Sequence, residues 1–443
     1  MSRKCAIYLL DQSEKLRIYY LSCMYILSIF TKKISSIFIV CVFCFASSFG
    51  QQKQLQDYIS IGLDNSPLLK DLKNQKTVNL IDSLKILAGY QVQVNGISTN
   101  SFSPSSNGWG YDYAITNGTN FTQQVVATKK LVSKENLANQ HEAIRLLNES
   151  LNVSGKISAQ DLSKSITAQY ITAYGVHQQI IFNLSLLDLL KKEVAILKVY
   201  TEKGIYKQTD YLNFIITTQQ QEIVNEQLAA QYQNEIASLN YLCGIKDTAR
   251  VLLADPIIKI EPLAEIERTI YYQQFIVDSF KLKNNIAQVE YNYKPKLNLY
   301  ADGGFLSSFS YMGYKNFGAS AGVSLTVPIY DGNQKKMQFN KIKIAEQTRQ
   351  DYRDFFKKQY DQQIIQLLQQ LIATNKVIAQ AEKQIVLTET LIDANKKLLE
   401  IGEVKITDYI LAINAYLNTK NTITQNTINK LQIINQINYW NKK

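Results

Sequence analysis

Cysteine is scarce where it would matter. The 443-residue chain has five, and Cys5, Cys23, Cys41 and Cys44 all fall within the first fifty residues. Cys243 is alone in the remainder, which excludes a disulfide framework or a cysteine-rich metal site there. Its setting, "LNYLCGI", reads as an apolar helix end and a structural thiol. Histidine is rarer still. His141 and His177 are the only two, and no acidic or cysteine cluster flanks His177, which reads as a packed structural residue. No Ser-His-Asp order, paired catalytic acids, HExxH or phosphate-binding glycine loop occurs. Matches to Asn-x-Ser/Thr such as Asn117–Thr119 are expected by chance in an asparagine-rich chain. Enzymatic function therefore has no positive support, and no cofactor or metal is expected. Long apolar runs are missing as well: after residue 50 none reaches the roughly 18 residues of a membrane-crossing helix.

What precedes residue 50 is different. Lys32 and Lys33 lead into an apolar run from Ile34 to Phe45, followed by Ala46, Ser47, Ser48 and Gly50. That is the pattern of a secretory signal peptide over residues 1–50, cleaved near Gly50–Gln51. An earlier apolar stretch, Ile18 to Phe30, makes the leader long and leaves Met24 as an alternative start. The leader's charged residues account for +4 of the formal +11, leaving about +7 on the exported chain. Its basic residues are scattered rather than clustered, which speaks against nucleic acid as a partner.

The chain repeats itself at a shift of 198. "GIYKQTDYL" at 204–212 returns as "GEVKITDYI" at 402–410. Ile364, Leu371, Ile378, Ile385, Ile392 and Leu399 lie at strict seven-residue spacing, and Ile166, Ala173, Ile180, Leu187 and Val194 share their phase. The spacing predicts an internal duplication, with repeats at 51–250 and 251–443. A heptad sustained that long calls for helices packed at shallow angles. Thr374, Ala381 and Thr388 make the seam narrow, so neighbours on more than one side, hence assembly, are expected. Gly204 and Gly402 sit where a helix would close in a left-handed residue. Thr209 and Thr407 are read as caps of the next helix, with Asp210 and Asp408 in its first turn. Each motif is thus the tip of an antiparallel helical hairpin.

Strands fill the other end of each repeat. "NFGASAGVSLTVPIY" alternates Phe317, Ala319, Ala321, Val323, Leu325 and Val327 against Gly318, Ser320, Gly322, Ser324 and Thr326. Its partner is "PKLNLYADGGF"; the first repeat answers with "YQVQVNGIS" and "NFTQQVVATKK". Aromatic residues near the loop ends include Trp109, Tyr111, Tyr113, Phe305, Phe309, Tyr311, Tyr314 and Phe317. Strands of about ten alternating residues with flanking aromatics match a tilted bilayer-crossing strand. A small soluble sheet with one wet face has the same alternation. Four strands cannot close a barrel by themselves, because about eight is the minimum. If they lie in lipid, several chains must share one barrel.

Distances along the chain agree with a single axis. About 70 residues separate strand exit from tip in each repeat, roughly 105 Å of helix. Return helices of about 32 residues follow at 211–242 and 409–440, and further helical segments precede the strands at 55–87 and 262–292. Two short helices stacked end to end would span one long helix, with the join at an irregular belt around 243–261. The Ser154–Gly155 pair is a candidate bend in the first long helix.

Over nearly its full length after residue 50 the chain resembles the TolC-like outer-membrane efflux proteins. The matching pieces are the tips Gly204–Tyr211 and Gly402–Tyr409, "PIYDG" at Pro328–Gly332, "YKPKLNLYADGGF" at 293–305 and "NYLCGI" at 240–245. The resemblance implies an α+β fold of long α-helical coiled-coil hairpins forming a periplasmic tunnel, with four strands per chain. It implies a homotrimer sharing a 12-stranded transmembrane barrel, as exit duct for an inner-membrane pump joined by a periplasmic adaptor. It places the periplasmic gate at the tips: Gly204, Lys207, Thr209, Asp210, Gly402, Lys405, Thr407 and Asp408. Carboxylates of Asp210 and Asp408 gathered near one axis should attract cations; carboxylates in a first helical turn are also common for dipole reasons alone. Lys207 and Lys405 are candidates for pairing with carboxylates or an adaptor. The pattern departs at Leu411, where a second acid is expected, and at Val404 and Leu399, where the basic and aromatic partners of a tip lock are expected. An apolar lock, or none, follows. The competing readings are a periplasmic coiled-coil adaptor or scaffold and a secreted enzyme. The transported substrate is not encoded in any of these features.

Overall fold

The computed structural model describes residues 53–116, 118–247, 251–308 and 313–443. The expected leader and the aromatics Phe309 and Tyr311 lie outside the described residues. The chain divides into a small unit, described at 53–57 and 251–255, and a large unit of Tyr58–Thr248 with Pro256–Lys443. In the small unit Lys53 bridges Leu253 in parallel. The Lys53 N–H donates to the Leu252 carbonyl at 3.2 Å, and its carbonyl accepts from Ala254 at 3.3 Å.

Seven helices and four strands carry the described fold: α1 Leu55–Asn65, α2 Pro67–Gly89, β1 Gln93–Phe102, β2 Thr119–Leu131, α3 Lys134–Glu202, α4 Gln208–Cys243, α5 Ile270–Asn292, β3 Lys296–Ser307, β4 Phe317–Thr326, α6 Gln334–Glu400 and α7 Ile406–Trp440. Single turns of helix stand at Tyr113–Thr116, Ile266–Arg268 and Gly313–Lys315. None of the described helices is long and apolar enough to cross a membrane.

Two of the expected boundaries move, each for a local reason. The segment 55–87 is two helices, because Ser66 caps a new one and accepts from the Leu69 N–H at 3.4 Å, with Pro67 in the first turn. Proline is cheap there, since its missing N–H would have had no partner. The segment 262–292 becomes continuously helical only at Ile270, after the single turn at Ile266–Arg268, where the Thr269 hydroxyl accepts from the Tyr272 N–H at 3.4 Å. The chain before it is drawn instead to α7. Asn438 donates to the Lys259 carbonyl at 2.7 Å and accepts from the Glu261 N–H at 3.0 Å. Asn441 donates to the Pro262 carbonyl at 2.8 Å and accepts from the Ala264 N–H at 2.5 Å. Two side-chain amides thus do for an irregular segment what a neighbouring strand would do.

The two long helices, 69 residues in α3 and 67 in α6, are each about 100 Å at 1.5 Å per residue. α3 runs without a break through Ser154–Gly155. Its N-terminal half packs on α2 and α5: Asn79 donates to Asn148 at 2.9 Å, and Asn139 donates to Asn284 at 2.6 Å. Its C-terminal half packs on α4, where Gln169 donates to the Glu235 carboxylate at 2.6 Å. α6 is covered likewise by α5 and α7. α2 and α4 therefore follow one another along α3, as the residue counts predict, with α5 set between the N-terminal half of α3 and α6. The heptad residues face inward: Ile364, Leu371, Ile392 and Leu399 are buried, as are Ile166, Ala173 and Leu187. Leu367, Leu371, Ile434 and Ile437 form a core cluster between α6 and α7, with Trp440 packed on it. Each such side chain contributes roughly 1.5–3 kcal/mol by leaving water.

The strands form one antiparallel sheet in the order β1-β2-β3-β4. β1 starts at Gln93 rather than Tyr90, because the N–H groups of Tyr90 and Gln91 are still occupied by the Leu87 and Ala88 carbonyls closing α2. Register divides the sheet into two unlike faces. Val94, Ala127, Ala301 and Ala321 stand in one row across all four strands, and Gly96, Val125, Gly303 and Ala319 in the next. Leu297, Leu299, Val323 and Leu325 extend the same face, which turns polar at its two ends, with Lys129 toward the helices and Ser98, Asn100 and Gln123 toward the loops. The opposite face carries Asn95, Thr99, Gln124, Thr128, Asn298, Asp302, Ser320 and Ser324. There Asp302 accepts from Ser320 at 2.5 Å and from Gln124 at 3.3 Å. Trp109, Tyr111, Tyr314 and Phe317 are exposed at the loop end.

Candidate functional site

Both tips close as the glycines require. Gly204 has φ +76° and Gly402 φ +78°, the left-handed region that only glycine enters without strain. After α3 the Ile205 N–H donates to the Tyr200 carbonyl at 2.9 Å; after α6 the Glu403 N–H donates to the Leu398 carbonyl at 3.0 Å. These are the six-residue closures that satisfy a helix's last carbonyls.

Thr209 and Thr407 do not cap the return helices, contrary to the sequence reading. α4 begins at Gln208 and α7 at Ile406, so Lys207 and Lys405 stand at the cap positions in extended backbone, and neither side chain caps the helix. A lysine has no acceptor to offer. The backbone supplies the bonds: the Lys207 carbonyl accepts from Asp210 at 3.0 Å and the Lys405 carbonyl from Asp408 at 3.0 Å. Thr209 and Thr407 take the second helical position. Asp210 and Asp408 take the third, within the first turn, where a carboxylate complements the helix dipole. Asp210 is half-buried; Asp408, Lys207 and Lys405 are exposed.

The structure brings the two tips together through a residue the sequence reading passed over. The Tyr206 hydroxyl donates to the Leu399 carbonyl at 2.9 Å, with the Val404 carbonyl at 3.2 Å. Those are the two residues whose side chains depart from the lock pattern, and the bonds go to their main chain. A cue was present: under the 198-residue shift Tyr206 aligns with Val404, so a phenol on one tip faces an aliphatic on the other. Burial pushes the Tyr206 phenol above its ordinary pKa, so it stays a proton donor at neutral pH. Behind this latch lies a core of Leu186, Leu190, Leu197, Phe214, Leu399, Tyr409 and Ile413 among others. The Phe214 and Tyr409 rings stack at 6.1 Å with planes 4° apart.

A charged pair crosses the same core. Lys396 on α6 meets Glu193 on α3 at 2.8 Å, with the Glu193 side chain 1 % exposed. The hydrogen bond to Glu193 holds the Lys396 ammonium above the ordinary lysine range. The Tyr409 hydroxyl is buried nearby with no hydrogen-bond partner among the described residues, and burial followed by the Glu193 and Asp393 charges drives its pKa up.

Cys243 and the two histidines are each held against neighbours. Cys243 is buried and its thiol donates to the Tyr58 carbonyl at 3.3 Å. Burial raises its pKa to about 11, so no thiolate nucleophile is available near neutrality. His177 stacks on Tyr232 at 5.3 Å between ring centroids, and the Nδ1 of His141 lies 2.9 Å from the Ser83 hydroxyl. Among the described residues no three His, Cys, Asp or Glu side chains gather as metal ligands would.

Paired helices of about 100 Å set on a four-stranded sheet with one apolar and one polar face define the outer-membrane efflux channel fold, of the TolC type. Solved structures with this fold include a membrane protein from Pseudomonas aeruginosa, 13% identical, with TM-score 0.70 over 89% of this chain and 92% of that one. The outer membrane protein VceC from Vibrio cholerae is 13% identical, TM-score 0.68, over 88% and 96%. The MtrE outer membrane channel from Neisseria gonorrhoeae, in its open state, is 11% identical, TM-score 0.66, over 88% and 89%. No family model matches the sequence, and comparison with curated proteins gives no match.

Proposed function

We propose that the chain is one protomer of a homotrimeric outer-membrane channel, the passive exit duct of a pump–adaptor export system. One observation carries this reading: the sheet has an apolar and a polar face, and among the described residues no strand pairs with the outer edge of β1 or of β4. In lipid each unpaired backbone group costs several kcal/mol. Three copies, joined β4 to β1, supply twelve strands and leave no edge. The apolar rows then face lipid and the Asp302 face lines the lumen. The helices extend into the periplasm, where the tips meet the adaptor and, through it, the pump. Residues 1–50 act as the export signal, and the paired hairpins at 51–250 and 251–443 come from an internal duplication. A coiled-coil scaffold, the competing reading, gives no reason for apolar rows that run across all four strands on one sheet face. The reading requires heat-modifiable trimers in the outer-membrane fraction and conductance in planar bilayers. Recovery as a soluble periplasmic monomer would overturn it.

The gate in this reading comprises Gly204, Lys207, Thr209, Asp210, Gly402, Lys405, Thr407 and Asp408, with Tyr206 as the latch. A neutral hydrogen bond contributes about 1 kcal/mol, a shift of roughly fivefold in the tip-opening equilibrium of each protomer. Tyr206→Phe should therefore raise the open probability in single-channel recordings. An unchanged open probability would mean that Tyr206 holds nothing shut. Three copies of Asp408 near one axis form a cation site at the mouth. Asp408→Ala should weaken block of the channel by divalent cations; identical block would place Asp408 away from the constriction.

A further inference from the structure

A cleft of about 470 Å³ opens where the sheet turns into helices, lined by the ends of α2, β2 and α5 and the starts of α3 and β3. Lys130, Lys294 and Lys296 line it, and none of the three is in an ion pair in the described structure. Lys130 pairs in register with Asn298, two residues from Lys296 on the same strand. Lys130 and Lys296 are therefore diagonal neighbours on one sheet face, about 7–8 Å apart at Cα. Two lysine stems at that spacing are long enough to reach a single oxyanion. Asn298, between them, lines the cleft too, as do Ser133, which caps α3, and Asn136 from its first turn. The positive end of a 69-residue helix thus faces the same space. The Lys294 ammonium lies over the Tyr291 ring at 4.5 Å, which holds it at the cleft wall. One acid stands close, Glu135. Hydrogen bonds from its own backbone and from Ser133 hold its carboxyl below the usual range, with the Lys294 and Lys134 charges adding to this, so it offsets one of the cations. The balance stays positive.

We propose that this cleft binds an oxyanion, the phosphate or carboxylate of a solute inside the channel, at the junction of barrel and tunnel. Lys130, Lys296 and Asn298 share the face that carries Asp302 and Ser320, the polar one, so the site opens to the lumen and not to lipid. This rests on the channel reading of the sheet faces. Three protomers bring nine such lysines to one level of the duct, an anion-attracting belt between the barrel and the Asp408 mouth.

The test uses the full-length trimer in detergent, titrated calorimetrically with inorganic phosphate and separately with a short-chain phosphatidic acid. Planar-bilayer conductance is measured on the same preparation. Saturable phosphate binding is expected, weakened about tenfold or more in the Lys130→Gln/Lys296→Gln variant. The reversal potential in a KCl gradient should shift toward cation preference in that variant. Heat-modifiable trimers serve as its folding control, and Lys294→Gln alone replaces it if the double variant does not assemble. A conducting wild type with no saturable phosphate binding overturns the site while leaving the channel reading intact. Equal binding by wild type and variant overturns it as well. Binding of the lipid without binding of phosphate overturns the luminal assignment. A trimer that binds phosphate but passes no current sinks the channel reading instead.

Discussion

Arginine at position 321 should abolish outer-membrane assembly, whereas arginine at the adjacent position 320 should be tolerated. Ala321 is the β4 member of the row Val94–Ala127–Ala301–Ala321 on the apolar face. A guanidinium there costs about 2–4 kcal/mol near the middle of a bilayer, and the cost recurs in each of three protomers. Ser320 is turned the other way and donates to Asp302 at 2.5 Å. An arginine in its place would point toward a carboxylate on a wet surface. The yield of heat-modifiable trimer in the outer-membrane fraction reports the difference. Expected results are near-complete loss for Ala321→Arg and near-normal yield for Ser320→Arg. Equal tolerance of both would mean that the apolar face meets water, and the barrel would be lost with it.

The second large effect belongs to the Glu193–Lys396 pair. Removing one partner of a buried ion pair costs about 3–5 kcal/mol, because the other is left charged in a dry core. Glu193 is 1 % exposed and Lys396 36 %, so the lower end applies, about 3 kcal/mol for Lys396→Ala. Local opening of the tip would then rise roughly a hundredfold, visible as faster amide hydrogen exchange across 186–200 and 392–399. The double variant Glu193→Gln/Lys396→Met should recover much of the protection, since neither side is left as an unpaired charge. A single variant no worse than the double would show that Glu193 finds water or another cation. The pH dependence follows from the sign of the shift. The Lys396 pKa is raised on folding, so the pair stabilises fully below the ordinary lysine value and fades only as pH climbs through the raised one.

Much of the helical architecture was legible because period is written directly into side-chain identity. Ile364 through Leu399 declare a seam, and burial follows it, complete at Ile364, Leu371, Ile392 and Leu399 and partial at Ile378 and Ile385. The alternation of β4 likewise states its two faces before any partner is known. Sequence separation limits the rest. Glu193 and Lys396 are 203 positions apart, and nothing local to either shows that they share a core. β2 pairs with β3 across an intervening 164 residues, so the continuous apolar rows appear only once the sheet is assembled. The tip caps failed for another reason. Threonine is a good cap in general, but the six-residue closure after Gly204 and Gly402 already fixes where the chain can turn, and it turns at Lys207 and Lys405. At α2 and α5 the opposite holds: Ser66 and Thr269 cap as their chemistry allows, at places where a continuous segment was expected.

The Tyr206 hydroxyl grips main-chain oxygens and no side chain. Every amino acid carries that oxygen, so these two bonds place no demand of their own on the side chains at 399 and 404, whatever the core behind them requires. A fastening of this kind leaves no correlated pair of substitutions for an alignment to detect. Its history is recorded in one tyrosine alone.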